Sequence, residues 1–597
     1  MLQDNNQLDD FFGLKSEKEG PSARHKEGIK DSLLKSVERN KLRLIPKVLS
    51  NKERYLIFIF ALVMLGSVIS IPFTSFYHYT TGVPDNGGSF TEGMVGEPRL
   101  INPLLSQSND ADRDLTSLIY SGLMKYNEAG KLIPDLAKSY EVSSDGLNYT
   151  IYLRDNVFWH DGTAVTADDV VFTVQTAQNP DYGSQQRVNW QGVETDKVND
   201  YTIIFKLKER YAQFVNNFTI RILPKHAWQD IKPINFGQAD LNLKPIGSGP
   251  YKFAKLKKDT LGRVREYELA VNEKFYLGRS HIDRIGFRFF DSEDAMIDAY
   301  NKNSIENISF VSGPNLKKIK FKRRLNVREL KMPRYFGVFF NQDQSKELAD
   351  KNIRLALNHA TDKNELLSKI LEGKGESVAS PMVGNILDIN SDVKTYPFDL
   401  DQANKLLNPE RSREGSQRAS TSYGMNGKKI DLKLTTSTWP ELVAVANALK
   451  EQWAKVGVNI EVEILPTPEL QRAIKERNYQ MLLFGEILTL DPDPFTLWHS
   501  SQRRDPGLNL ALYSNKTADT LLEEARKILN PLERAQKYDE FQKLVIEDAP
   551  AVFLYNSYYI YGQTKDIRGF ESKIISMPSD RFANIEKWYM ETKRGWE

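Results

Sequence analysis

Apolar and polar positions follow two rhythms along most of this chain, and one segment has neither. From Tyr55 to Phe76 the sequence reads YLIFIFALVMLGSVISIPFTSF, 22 residues with no charge and no polar stripe. At 1.5 Å per residue this run predicts a helix of roughly 33 Å, long enough for the hydrocarbon core of a bilayer. Pro72 lies near its outer end, where a kink is tolerated. Beyond Gly88 the pattern turns globular. SFTEGMV (89–95), Ser139–Val142, Tyr149–Leu153, Tyr201–Leu207, Glu268–Val271, Ile285–Phe290, Phe336–Phe340 and Ala551–Tyr555 read as strands, and the turn dipeptide Asp145-Gly146 joins the second to the third. Asp112–Met124 carries Leu115, Leu118, Ile119 and Leu123 at helical spacing. Thr166, with Asp169 three residues on, predicts a capped helix start before Val170, Val171, Phe172 and Val174. Lys351–Ala360, Lys363–Leu371, Ala518–Ile528 and Leu532–Asp548 read as helices. Leu432–Thr435, the amphipathic helix Glu441–Val456 and Ile460–Leu465 form a β-α-β unit, whose strands belong in a parallel sheet. The pattern predicts an α/β region preceded by one transmembrane helix, with a polar tail over 1–34, a linker over 77–88, a polar loop over 409–428 and no internal repeat.

Composition narrows the classes. A length of 597 residues suggests about three to four domains. The hydrophobic share of 40% and charged share of 27% exclude global disorder and a many-helix transporter. A net charge of +2 gives no reason to expect a nucleic-acid partner. The sequence has no cysteine, which excludes disulfides, thiolate metal sites, a cysteine nucleophile and a lipidated-cysteine anchor. Aromatic residues are plentiful, with 26 Tyr, 30 Phe and 8 Trp; whether they fill a core or line a cleft stays open at this point. Lys35, Arg39, Lys41, Arg43, Lys47, Lys52 and Arg54 crowd the N-terminal flank of the apolar run, and the far flank has no charge until Asp85. The positive-inside rule therefore puts residues 1–54 in the cytoplasm and the rest outside. A 54-residue n-region and the lack of an A-x-A site favour an uncleaved anchor over a signal peptide.

Motifs that carry chemistry are missing. The sequence contains no GxxxxGK[ST], HExxH or GxSxG. Its seven histidines are scattered, and no pair has metal-ligand spacing. Asp491 and Asp493 in LDPDPF are two apart, so in an extended segment they face opposite ways; a turn braced by Asp side chains fits better than an acid/base pair. We expect no catalytic residue, no metal and no cofactor.

Longer blocks carry a resemblance. Residues 119–174 read IYSGLMKYNEAGKLIPDLAKSYEVSSDGLNYTIYLRDNVFWHDGTAVTADDVVFTV. Further blocks are PIGSGPYKF (245–253), VNEKFYLGRSHIDRIGFRFF from Val271, YFGVFFNQD with LADKNIRLALNHATDKNELL and GKGESVASPM, ANALKEQWAKVGVNIEVEIL, and LDPDPFTLWHSSQ with ERAQKYDEFQKLVIEDAPAVFLY. Together they cover nearly all of 90–562. In these the chain resembles the bacterial extracellular solute-binding proteins of family 5, the large peptide-binding receptors of ABC transporters. The resemblance implies an α/β, two-lobed periplasmic-binding-protein-like fold with ligand held between the lobes. Lobe I would span 89–329 and 552–597, with an extra subdomain at about 127–226, and lobe II 330–551. The HDG block, with His160 and Asp161-Gly162, then reads as structural.

The resemblance also implies site residues. A loop contributing backbone contacts to an extended peptide falls on Ser108, Asn109 and Asp110. The aspartate that clamps a peptide amine in such receptors falls here on Leu488 or Thr489, ahead of Asp491-Pro492, and the usual Gly-Trp reads Gly485-Glu486. The clamp is thus missing from its place, with Glu486 or Asp491 as substitutes, which weakens a free-amine peptide as the ligand. The implied role is a membrane-tethered, monomeric receptor delivering peptides or similar solutes to ABC permease and ATPase subunits on separate chains. An oligosaccharide or other non-peptide solute, and a sensor or envelope chaperone on the same fold, remain alternatives.

Overall fold

The computed structural model describes residues 49–383, 389, 392–408 and 429–596. The polar tail up to residue 48 and the loop 409–428 lie outside the described residues. Two compact units emerge, Met1–Val83 with Lys593–Glu597, and Pro84–Thr592.

The first unit is dominated by a helix over Asn51–Tyr79. Ser50 caps it in a reciprocal box: the Glu53 carboxylate accepts from the Ser50 backbone N–H at 2.8 Å and from its hydroxyl at 2.7 Å. The helix is long and apolar enough to cross a membrane, and its leucine, isoleucine and phenylalanine side chains from Leu56 to Ile71 are exposed. Thr80–Pro84 then pairs with Thr592–Trp596 in a two-stranded sheet.

Three larger elements build the second unit. A seven-stranded mixed sheet runs edge to edge through Leu325–Leu330, Tyr559–Thr564, Asn307–Ile308, Ser89–Val95, Arg284–Phe290, Val264–Val271 and Tyr251–Lys258. A six-stranded sheet runs through Gly375–Ser377, Ala551–Ser557, Arg334–Phe340, Met481–Ile487, Ile430–Ser437 and Val458–Leu465. Its last two strands are parallel in register Ile430↔Val458 to Ser437↔Leu465, with helix Pro440–Ala454 between them in sequence. A four-stranded antiparallel sheet holds Ala137–Val142, Asn148–Leu153, Thr202–Lys206 and Glu194–Asn199. The first sheet organises lobe I and the second lobe II.

The chain crosses between the two large sheets twice, side by side. Leu330 pairs with Tyr559 in the first sheet, and Phe336 with Tyr555 in the second. Between them the Asn556 amide donates to the Met332 carbonyl at 2.9 Å, and the Arg334 guanidinium to the Ser557 carbonyl at 2.9 Å. The return crossing therefore falls at Tyr558, beyond the 551/552 boundary expected from sequence, because Ala551–Ser557 is paired along its length with lobe II strands.

Two other expectations shift. The helix expected over Asp112–Met124 spans Asp110–Ile119. It stops where Gly122 packs against backbone carbonyls, a Cβ there meeting Met124 and Thr219 oxygens at 2.9 Å, and pairs in a bridge with Arg221. Most of the tryptophans turn out to be core: Trp190, Trp228, Trp453, Trp498 and Trp588 are fully buried, while Trp439 and Trp596 are exposed. Trp190, Phe205, Phe214 and Phe218 pack ring on ring at 5.0–6.4 Å beneath the four-stranded sheet.

Candidate functional site: a polar cavity on lobe I

The two most recognisable sequence blocks meet in space, and their meeting shapes the cavity. The His160 backbone N–H donates to the Gly247 carbonyl at 2.8 Å, and the Gly247 N–H returns a bond to His160 Nδ1 at 3.2 Å. With Nδ1 accepting, Nε2 carries the proton and donates to the Gly249 carbonyl at 3.1 Å. Burial pushes this imidazole down to about 4, so it stays neutral at physiological pH. Asp161 accepts from the Thr163 N–H at 3.0 Å and lies 2.7 Å from His226 Nε2. His160 thus fastens the Gly247–Gly249 turn, and that turn presses on the end of helix Asp110–Ile119: the Gly249 N–H donates to the Ile119 carbonyl at 2.8 Å.

Beside this clasp lies a cavity of about 330 Å³. The C-terminal half of helix Asp110–Ile119, the segment 120–126, residues 216–221 and the segment 576–586 supply most of its wall, with Thr489 from lobe II. The wall has built-in unsatisfied polarity. Tyr120 is fully buried, and among the described residues its phenol has no hydrogen-bond partner; the Thr116 hydroxyl, one helical turn before it, has none either. Buried polar groups are nearly always paired, so two unpaired groups on one cavity wall make it a candidate ligand site. Arg221 donates to the Tyr120 carbonyl at 2.9 Å and forms no ion pair among the described residues. Burial lowers its pKa, with Asp135 and Asp580 opposing that shift.

The residues singled out from sequence fall around this cavity in different ways. Ser108 ends a short helical turn, Ser106–Ser108, and its side chain lies outside the described residues. Asn109 caps the next helix, accepting from the Ala111 N–H at 2.9 Å and donating to the Glu97 carbonyl at 2.6 Å. Asp110 pairs with Arg113. Asn109 and Asp110 are not in the cavity wall, whereas Ser106, Gln107 and Arg113 on either side are. Leu488 is buried in the lobe II core, its N–H donating to the Pro333 carbonyl at 2.7 Å. Thr489 faces the cavity. Asp491 takes two contacts at 3.0 Å from Arg534, and Asp493 accepts from Arg526 at 2.8 Å and from Tyr211 at 3.1 Å. The Tyr211 contact, with Gln213 donating to the Tyr538 hydroxyl at 2.8 Å, joins lobe I to lobe II.

Glu486 is locked inside lobe II. It sits opposite Tyr335 in the strand pairing, accepts from the Tyr335 hydroxyl, and leaves its second oxygen buried without a partner among the described residues. Burial pushes its carboxyl up to about 8. Because the folded group holds its proton more tightly than the unfolded one, its contribution to stability is whole below about pH 4.5 and is lost as pH rises toward 8. Glu486→Gln, which stays neutral, removes that loss. Thermal melts at pH 5 and pH 8 are expected to show a smaller decline for the variant than for the parent, and equal declines would contradict the assignment.

Sequence reasoning missed Thr116, Tyr120, Arg221 and Asp580. They come from segments up to several hundred residues apart, and only the fold collects them. Asp580 carried a local signal, as the third helical residue after Met577-Pro578, where its carboxylate accepts from the Ser576 and Met577 N–H groups at 2.9 and 3.0 Å. That signal points to a helix cap and says nothing about a cavity.

The sequence model of bacterial extracellular solute-binding proteins, family 5 Middle, matches residues 131–506. Oligopeptide-binding protein AppA of Bacillus subtilis (strain 168) is 28% identical over 529 residues, covering 86% of this chain and 93% of AppA. The solved structure of AppA in complex with a nonapeptide matches with a TM-score of 0.68 and 26% identity, covering 85% of this chain and 100% of that one. NikZ from Campylobacter jejuni in complex with Ni(L-His) matches at 0.69 and 28%, covering 84% and 99%. The ABC transporter substrate-binding protein CtaP from Listeria monocytogenes matches at 0.73 and 26%, covering 85% and 100%.

Proposed function

Since the chain belongs to the bacterial extracellular solute-binding proteins of family 5, we propose that it captures peptides in the lobe I cavity and delivers them to an ABC permease. The observation that carries this reading is the cavity wall, where the Tyr120 phenol and the Thr116 hydroxyl are buried without partners among the described residues. A peptide offers N–H and C=O groups at every residue and can satisfy both. The nonapeptide in the AppA structure and the name of that relative support a peptide as the ligand class. The helix Asn51–Tyr79 tethers the receptor to the cell membrane in this reading, with the lobes outside and the basic flank of 35–54 inside. Capture needs no chemistry, since two lobes closing on a ligand exclude water by geometry alone.

A second reading is a solute that is not a peptide. It is favoured by the engagement of both lobe II carboxylates near the expected clamp, Asp491 with Arg534 and Glu486 with Tyr335. The Ni(L-His) complex of NikZ belongs to a relative of similar identity.

A thermal-shift panel on the detergent-solubilised full chain separates the two. A ligand at a hundred times its Kd stabilises the folded state by about 2.7 kcal/mol. Degenerate tripeptide to nonapeptide pools are expected to raise the melting temperature while oligosaccharide pools leave it unchanged. A rise with oligosaccharides and none with peptides would transfer the assignment to the second reading.

A further inference from the structure

One end of the seven-stranded sheet collects positive charge that its own carboxylates do not cancel. From Asn307 to Arg328 the chain carries seven basic residues and no acidic one. Lys317 and Lys318 are paired, with Glu372 and Asp294. Lys320, Lys322 and Arg323 are exposed and form no ion pair among the described residues. Asn301 accepts from the Lys320 N–H at 2.8 Å, Asn303 from the Arg324 guanidinium at 2.8 Å, and the Arg324 carbonyl from the Lys565 N–H at 2.9 Å. These bonds set segments 302–306, 320–324 and 565–566 side by side. Together they bring Lys302, Lys320, Lys322, Arg323, Arg324 and Lys565 against Glu306 and Asp566, six cations to two carboxylates. Phe321 stands among them 40% exposed, with the Arg324 guanidinium 5.2 Å from its ring centre. At the far edge of the same sheet the cations are paired, Lys255 and Arg284 with Glu268, Lys257 with Glu266, and Arg265 with Asp259 and Asp291. The surplus is therefore local.

The register shows which end of the sheet this is. Val327 stands level with Gly562, Gly562 with Ile308, and Ile308 with Gly93. Strands Leu325–Leu330, Asn307–Ile308 and Ser89–Val95 run one way, and Tyr559–Thr564 runs against them. The residues before Leu325, before Asn307 and after Thr564 thus share the end at which Ser89–Val95 begins. The chain enters lobe I there, and only residues 80–88 lie between that strand and the helix Asn51–Tyr79. Fully extended, such a stretch reaches no more than about 30 Å.

We infer that this end of lobe I docks on an anionic phospholipid surface, that of the membrane in which the helix is held. The inference rests on the tether reading above. Lysine and arginine are drawn to phosphate-bearing headgroups, each worth about a fivefold gain in occupancy, and an exposed aromatic ring settles at headgroup level. The attraction fades within a Debye length of about 8 Å, so it is weak for a protein free in solution. A short tether keeps the basic end within reach and makes the contact intramolecular. It also favours lipid over an acidic protein, since lipid is the partner every tethered copy meets.

The test uses the full chain, one copy per nanodisc, in phosphatidylcholine or in equal parts phosphatidylcholine and phosphatidylglycerol, each with a spin-labelled lipid as quencher. The chain has no cysteine, so Phe321→Cys carries an apolar fluorophore at a unique site. Leu261→Cys, 75% exposed in the turn between the strands Tyr251–Lys258 and Val264–Val271, reports from the opposite end of the sheet. The dye at 321 is expected to be quenched several-fold more in the mixed bilayer than in phosphatidylcholine, and the dye at 261 equally in both. Salt at 1 M, where the Debye length is about 3 Å, is expected to abolish the difference. Adding Lys320→Gln, Lys322→Gln and Arg323→Gln is expected to lower docking about a hundredfold and bring quenching to the phosphatidylcholine level. Lys320→Arg with Lys322→Arg is expected to preserve it, which separates charge from any disturbance of the fold. Equal quenching at 321 in the two bilayers, or undiminished quenching in the glutamine variant, overturns the inference and turns the search to an acidic protein partner. A chain that washes off phosphatidylcholine discs overturns the tether reading and the inference with it, a result distinct from retention without quenching.

Discussion

Arg581→Met lowers the stability of lobe I by about 3–5 kcal/mol, the cost of stripping the partner from buried charges. Arg581, Glu92 and Asp114 are all shut off from solvent, with side-chain exposures of 0%, 0% and 1%, and one guanidinium nitrogen contacts both carboxylates. The arrangement ties four distant stretches of chain. Glu92 comes from the strand Ser89–Val95, Asp114 from the helix that lines the cavity, and Arg581 from the C-terminal segment. Tyr561, just past the return crossing, donates to Glu92 at 2.9 Å and accepts from Asn307 at 2.8 Å. The guanidinium also lies 4.1 Å over the Phe582 ring and 5.4 Å over that of Tyr561. Methionine fills similar space but leaves two carboxylates facing each other in an apolar interior. At about 2 cal/mol/K per residue of unfolding entropy, the loss corresponds to a melting temperature roughly 5 °C or more lower. Adding Glu92→Gln and Asp114→Asn to the variant removes the stranded charges and is expected to recover much of the drop. A single variant that melts within about 1 °C of the parent would show that the triad does not hold lobe I together.

The second large effect is steric and reaches the cavity. A Cβ placed on Gly247 would lie 1.9 Å from the Ile119 carbonyl oxygen and 2.7 Å from its carbon. The obstacle is backbone, which cannot rotate aside, so Gly247→Ala must push the Gly247–Gly249 turn away from the end of helix Asp110–Ile119. The turn's bonds to His160 stretch with it. Overpacking of this kind costs about 3 kcal/mol. Tyr120, next to Ile119, forms part of the cavity wall, so the variant is expected to lose both melting temperature and the peptide-induced rise in it. An alanine protein with normal stability and a normal ligand shift would mean that the turn yields freely.

Much of the architecture was legible because its signals are local. The charge-free run 55–76 forms the centre of the helix Asn51–Tyr79. Thr166 and Asp169 make the reciprocal cap expected of them, with the Thr166 N–H donating to Asp169 at 2.9 Å. Asp145-Gly146 turns between two paired strands, Gly146 taking a φ of +69°, which glycine adopts without strain. The β-α-β unit over 430–465 is parallel as its pattern required. Boundaries were less legible where tertiary pairing decides them. Nothing in the apolar run after Ala551 says which of two sheets it joins, and a shape-fitted contact, not a helix breaker, ends the helix before Gly122. The cavity was least legible of all. The residues brought in by resemblance sit on one stretch of chain each, whereas Thr116, Tyr120, Arg221 and Asp580 meet only after both lobe I ends of the chain have folded onto one sheet.

The paired crossing between the sheets sets how the molecule can move. Two neighbouring strands carry the chain from one sheet to the other, pairing Leu330 with Tyr559 on one side and Phe336 with Tyr555 on the other, with a register shift at Phe336–Gly337. A ribbon of this kind bends and twists with little effort but resists the sliding of one strand past the other, since a slip breaks a whole ladder of bonds at once. Lobe II is therefore hung like a door on a double-leaf strap: it can swing or turn about the strap, but it cannot shear across the face of lobe I. Were lobe II to close on a ligand about this strap, Thr489 in the cavity wall would travel along one arc, and the shape of that arc would select the ligand as much as the residues at its end.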